Sequence, residues 1–181
     1  MNGRTLLCTC GLLLGVALTA GAQSMPMLGI STQPAKVDGV IADGEYSLLT
    51  EAEGMKLGLA WTADALFVGL SAPTTGWVAV GLGGARMDGA LIYIGYVTGN
   101  ETRLKIQRGT AHRHADYETN APAQYSMKEA DGRTVLELAL KPTGLITRGQ
   151  KSLDIIVAMG GADSFVSFHK ARASISVGLA R

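Results

Sequence analysis

The chain has 181 residues, a formal net charge of +1, 47% hydrophobic and 17% charged residues, and 24 glycines. That is one domain's worth of sequence with ample apolar content for a core, which excludes a disordered chain. The near-neutral balance excludes a nucleic-acid partner, because phosphate binding needs a basic excess.

Residues 1–22 read as an export signal. Arg4 supplies the positive start, Leu6 to Leu18 a mostly apolar run, and Ala20-Gly21-Ala22 a small-x-small cleavage site, so the mature chain begins at Gln23. The run is short for a bilayer span and no basic cluster follows it, so the mature protein is expected to be exported, periplasmic or extracellular, and not membrane-spanning. Both cysteines, Cys8 and Cys10, fall inside the signal. The mature form therefore has no disulfide, thiolate metal site, cysteine nucleophile or covalently attached haem.

Residues 23–37 are polar and carry Pro26 and Pro34, and read as a flexible lead-in to one domain over 38–181. Asp38-Gly39 and Asp43-Gly44 are turn signals around a small apolar pair. Met55, Leu57, Leu59 and Trp61 alternate with smaller or polar residues, as a strand does, and Leu66 to Ser71 returns as its hairpin partner. Trp77 to Leu82 is the next strand. Leu91 to Val97 is apolar on both faces, as a buried central strand is. Thr102 to Arg108 is more polar and reads as an edge, with a polar loop over 109–123. Gln124 to Lys128 and Arg133 to Leu140 flank an Asp131-Gly132 hairpin turn. Leu153 to Met159 and Ala173 to Leu179 complete the set. About nine to ten short strands and no long helix predict an all-β antiparallel sandwich or barrel.

Between two of these strands lies Gly81-Leu82-Gly83-Gly84-Ala85-Arg86-Met87-Asp88-Gly89-Ala90, a glycine-rich loop with one methionine near its end. Much later comes Ser167-Phe168-His169-Lys170-Ala171-Arg172. A thioether and an imidazole from distant segments can be the two axial ligands of a haem iron. Each also has an ordinary reading: Met87 as core filling and His169 as a satisfied surface or core residue.

Trp61-Thr62, Gly76-Trp77-Val78-Ala79-Val80-Gly81, Met87-Asp88-Gly89-Ala90, Ile94-Gly95-Tyr96 and Phe168-His169-Lys170-Ala171-Arg172 together resemble the DOMON domain family, over roughly residues 38–179. The resemblance implies an immunoglobulin-like β-sandwich with a pocket for haem b or a sugar. It implies Met87 and His169 as axial ligands of a non-covalent haem, held six-coordinate for single-electron transfer. Propionates want a cation; Arg172 ranks first, then Lys170 and Arg86. Haem-binding members often continue into a membrane cytochrome or a flavin dehydrogenase; this chain does neither, so its redox partner is expected to be a separate chain of that kind.

Two further readings stay open. His112 and His114 form a His-x-His pair that can bind zinc or copper with Asp116 or Glu118, and His114 is an alternate iron ligand. The other is a non-haem carbohydrate or small-ligand module of the same fold, for which Tyr93, Tyr96, Tyr117 and Tyr125 are the available stacking platforms. Asp88, Asp43 and Glu45 form no acid–base pair, and no nucleophile elbow or phosphate loop occurs, so no catalytic residues are expected.

Overall fold

The computed structural model describes residues 25–111 and 113–180; the expected signal segment and His112 lie outside them. Among the described residues there are twelve strands and no helix: β1 Met27–Gly29, β2 Leu48–Ala52, β3 Met55–Trp61, β4 Leu66–Ala72, β5 Val78–Leu82, β6 Leu91–Thr98, β7 Glu101–Thr110, β8 Arg113–Asp116, β9 Gln124–Ala130, β10 Arg133–Leu140, β11 Ser152–Gly160 and β12 His169–Ala180. They form a seven-stranded sheet, β1-β12-β11-β5-β6-β7-β8, and a five-stranded sheet, β2-β3-β4-β10-β9. All pairs are antiparallel except β1 with β12. The fold is an all-β sandwich, as expected.

Alternation decides which side chains meet between the sheets. Met55, Leu57, Leu59 and Trp61 on β3, Leu66, Val68 and Leu70 on β4, and Leu136, Leu138 and Leu140 on β10 face Val78, Val80, Leu82, Leu91, Leu153, Ile155 and Val157 of the larger sheet. This is the main core. The tight turns are where glycine and aspartate put them: Asp131 and Gly132 both have positive φ, 52° and 71°, the two-residue geometry that matches strand twist.

The strand count exceeds the expected nine to ten in three places. β1 arises within the supposed flexible lead-in, where Leu28 is fully buried and Pro26 accepts a hydrogen bond from Gly178. β2 pairs with β3 across a Glu53-Gly54 turn. β8 lies inside the supposed polar loop over 109–123, and it, not β7, is the sheet edge. β8 is wholly exposed, so no apolar alternation marks it. A short, charged strand is a common way to blunt a sheet edge.

Outside the smaller sheet, residues 35–46 fold back over its surface. The Tyr46 ring lies across Gly58 and Gly69, which are paired directly; a Cβ on Gly58 would stand 2.7 Å from the ring. Next in the same row is Glu137, fully buried on β10. Its carboxylate accepts hydrogen bonds from the backbone N–H of Asp38 (3.0 Å), Gly39 (2.6 Å) and Val40 (3.2 Å) and from the Tyr46 hydroxyl (2.7 Å). Burial, chiefly, raises the Tyr46 hydroxyl, and the Glu137 hydrogen bond adds to it. The Asp38-Gly39 turn is thus held by a residue about a hundred positions away.

Candidate functional site

The larger sheet has a second apolar face, turned away from the core. Trp77, Ala79, Ala90, Ile92 and Ile94 are buried there, and Met87, Tyr96, Ile156, Ala158 and Phe165 pack against them. Strand register explains this face. Ala79 lies opposite both Ala158 and Ile94, and Gly81 opposite both Ile156 and Ile92. Small residues therefore make a shallow floor between bulkier ones: a Cβ on Gly81 would meet the Ile156 side chain at 2.5 Å, and one on Gly160 would run into the Trp77 indole. Trp61 is in the core between the sheets, whereas Trp77 belongs to this outer face.

The segment 161–168 folds over one end of the floor. Trp77 Nε1 donates to Ser167 Oγ at 2.8 Å, and Phe165 lies on Tyr96 with ring centroids 4.8 Å apart. Lys105 Nζ stands 5.4 Å from the Phe165 centroid and pairs with Asp116 at 2.8 Å. The Lys105 hydrogen bond is the first cause holding the Asp116 carboxyl below its ordinary value, with Gln107 second.

Met87 sits in the β5–β6 loop, half-buried on the floor. Its position is set by Gly109 on β7, because the Met87 carbonyl occupies the place of a Gly109 Cβ. Gly89 N–H donates to the Gly109 carbonyl, Gly109 N–H to the Ala90 carbonyl, both at 3.0 Å, and Ala111 N–H to Asp88 Oδ1 at 2.7 Å. Asp88 is a loop clamp in this arrangement, and Glu45 likewise accepts from Lys36 and Ala42 backbone N–H groups.

His169 opens β12 opposite Gly160. Directly opposed residues share a face, so its imidazole is on Trp77's side of the sheet, and it is exposed. Arg172 lies opposite Ala158 and so flanks the same face. Lys170 falls at the bulge beside Gly161, and its side chain covers that glycine. Arg86 is exposed in the methionine loop. The structure thus puts Met87, His169 and Arg172 on one face, but it does not bring the first two together. Gly160 is five residues along β11 from Ile155, whose row runs through Leu82 and Leu91 to Arg108, beside Gly109. Counted from His169 on β12, that is about 17 Å along the strands with four strand steps of about 4.8 Å across.

His114 is the histidine that the fold places beside Met87. It lies directly opposite Gly109. Its Nδ1 is 2.6 Å from Gln107 Oε1, and Gln107 Nε2 donates to Asp116 Oδ1 at 2.9 Å. Asp116 is thereby committed to Lys105 and Gln107, which removes it as the partner of a His-x-His metal site. Among the described residues no group of three or more His, Cys, Asp or Glu could hold a metal ion.

Lys105 and Phe165 are missing from the sequence reading. Lys105 had a signal, the Arg103–Lys105–Gln107 alternation with Leu104 and Ile106, which gives β7 one polar face. Phe165 had none, since a loop residue carries no periodicity. Of the tyrosines offered as stacking platforms, Tyr93 is fully buried with its hydroxyl donating to the Asn120 carbonyl at 2.8 Å, and burial raises that hydroxyl. Tyr96 lies under Phe165, while Tyr125 is 42% exposed. Two hollows of about 200 and 350 Å³ share Asn120 and Leu145, and neither is lined by Met87 or His169.

No family model matches the sequence, and no curated protein matches it. Solved structures do. The cytochrome domain of cellobiose dehydrogenase from Myriococcum thermophilum aligns with TM-score 0.58 and 13% identity, over 74% of this chain and 81% of that one. The cytochrome b domain of pyranose dehydrogenase from Coprinopsis cinerea aligns with TM-score 0.53 and 16% identity, over 68% and 76%. A family 9 carbohydrate-binding module from Caldicellulosiruptor kristjanssonii, in complex with cellotriose, aligns at TM-score 0.48 and 14% identity, over 84% and 93%. No helix among the described residues is long and apolar enough to cross a membrane. The DOMON-type architecture read from the sequence is therefore matched at the level of the fold: this chain is a two-sheet sandwich of the kind found in the cytochrome b domains of two sugar dehydrogenases.

Proposed function

We propose that the protein is an exported b-type haem-binding module for single-electron transfer, working with a separate redox partner and carrying no catalytic residues of its own. The observation that carries this reading is Met87, a thioether half-buried on an apolar floor that faces away from the core. The residues fit the group in kind: a soft thioether, an imidazole on the same face, an apolar bed, and Arg172 as a cation for a propionate. Bound haem would supply one-electron chemistry at a potential raised by the thioether.

The chain's own part is to bind and exclude water. Trp77, Ala79, Ile92 and Ile94 make the apolar bed that would keep the ring's surroundings dry, with the Ile156 side chain lying over Gly81. Met87 and His169 are the residues that would hold the iron, one from the β5–β6 loop and one from the start of β12. The segment 161–168 is held on this face by the Trp77–Ser167 hydrogen bond and the Phe165–Tyr96 ring contact, with Val166 and Phe168 exposed.

The test is an absorption spectrum of the purified exported protein with added hemin, oxidised and reduced. Stoichiometric uptake with a sharp Soret band and narrow α and β bands is expected. Met87→Ala is expected to keep haem but turn it high-spin, His169→Ala to lose most of it, and Arg172→Ala to weaken retention with the low-spin spectrum intact. A folded sample that takes up no hemin overturns the reading and leaves a carbohydrate or small-ligand module.

A further inference from the structure

We infer that Met87 and His114 form a binding site for a soft monovalent cation of the copper(I) class. This rests on geometry around Gly109 and is independent of the haem reading, with which it would compete for Met87.

Gly109 is the common neighbour. His114 is its direct cross-strand partner on β8, and the Met87 carbonyl occupies the place of its missing Cβ. Opposed residues in a sheet share a face. The imidazole therefore rises from the same side of the β7–β8 hairpin on which Met87 lies, and Met87 Cγ is 3.1 Å from the Gly109 Cβ position. The loop is fixed there by the Gly89–Gly109, Gly109–Ala90 and Ala111–Asp88 hydrogen bonds.

The imidazole is also oriented for ligation. Asp116 is an acceptor only, so the Gln107 amide nitrogen faces it and the Gln107 oxygen faces His114. His114 Nδ1 must then carry the proton and donate it to Gln107 Oε1. In the neutral ring this leaves the Nε2 lone pair for a metal, the arrangement typical of a ligating histidine held by a second hydrogen bond. The side chain is exposed, so an ion reaches it.

The donor set selects the ion. A thioether and an imidazole suit copper(I), whereas calcium and magnesium need several oxygens. The nearby hard donor, Asp116, is already held by Lys105 and Gln107.

The experiment uses the haem-free protein under anaerobic conditions, with copper(I) kept reduced by ascorbate and held by the chromophoric chelator bicinchoninate. Wild type is expected to withdraw one equivalent. His114→Ala and Met87→Leu are each expected to weaken binding tenfold or more, and His169→Ala to leave it unchanged. Thermal unfolding of each variant checks that it is folded; His114 is exposed and leucine keeps the apolar packing of Met87. No withdrawal by wild type overturns the proposal. So does wild-type binding by either variant, or loss of binding in folded His169→Ala.

Discussion

Replacing Glu137 by alanine is expected to lower the free energy of unfolding by about 3 kcal/mol or more. Four donors converge on this buried carboxylate: three consecutive backbone N–H groups and the Tyr46 hydroxyl. Alanine leaves them without an acceptor, and the 35–46 segment must peel away to find water. Glutamine keeps one acceptor oxygen and is expected to cost about 1 kcal/mol. The pair also predicts a pH dependence. Burial, the largest influence, raises the Glu137 carboxyl above its ordinary value, against the lowering by Tyr46 and the Gly39 and Asp38 N–H groups. A raised carboxyl binds its proton more tightly in the folded state. Its contribution is therefore present below the ordinary glutamate value and lost as pH rises through the folded one. Urea unfolding across a pH series should show that decline in wild type and not in Glu137→Gln; parallel curves would assign the titration to another group.

Gly109→Ala is expected to cost about 1–3 kcal/mol and to displace Met87 from the outer face. Gly109 has no positive φ, so its backbone suits any residue. What forbids a side chain is the Met87 carbonyl, which already fills that position. A methyl group there pushes the β5–β6 loop off β7 and breaks the two Gly109 backbone bonds. Copper(I) withdrawal should fall, and added hemin should be bound high-spin, as in Met87→Ala. Gly29→Ala is the control: its Cβ would meet nothing within 4 Å and its φ is ordinary, so urea unfolding should match wild type. A Gly109→Ala protein as stable as wild type would show that the loop is not seated by that contact.

The strands with one buried face were legible in the sequence, because burial writes a period of two into residues such as Met55–Trp61 and Arg133–Leu140. β8 and β2 were not, since strands without a fully buried face carry no such period. β1 is three residues long and gains its place from a parallel pairing with β12, which nothing local encodes.

For the site the division is similar. The donor types, a thioether in a glycine-rich loop and a late imidazole, are legible in local residues, as are the turns that end each strand. Their neighbours come from how the two sheets assemble. Strand order and register put Met87 beside His114 and left His169 at the far corner of the same face. They also brought Glu137 under a turn about a hundred residues away and gave Trp77 to the outer face instead of the core. The reason is physical. Local sequence fixes backbone preference and alternation within a strand, whereas which strands become neighbours depends on burying all their apolar faces at once.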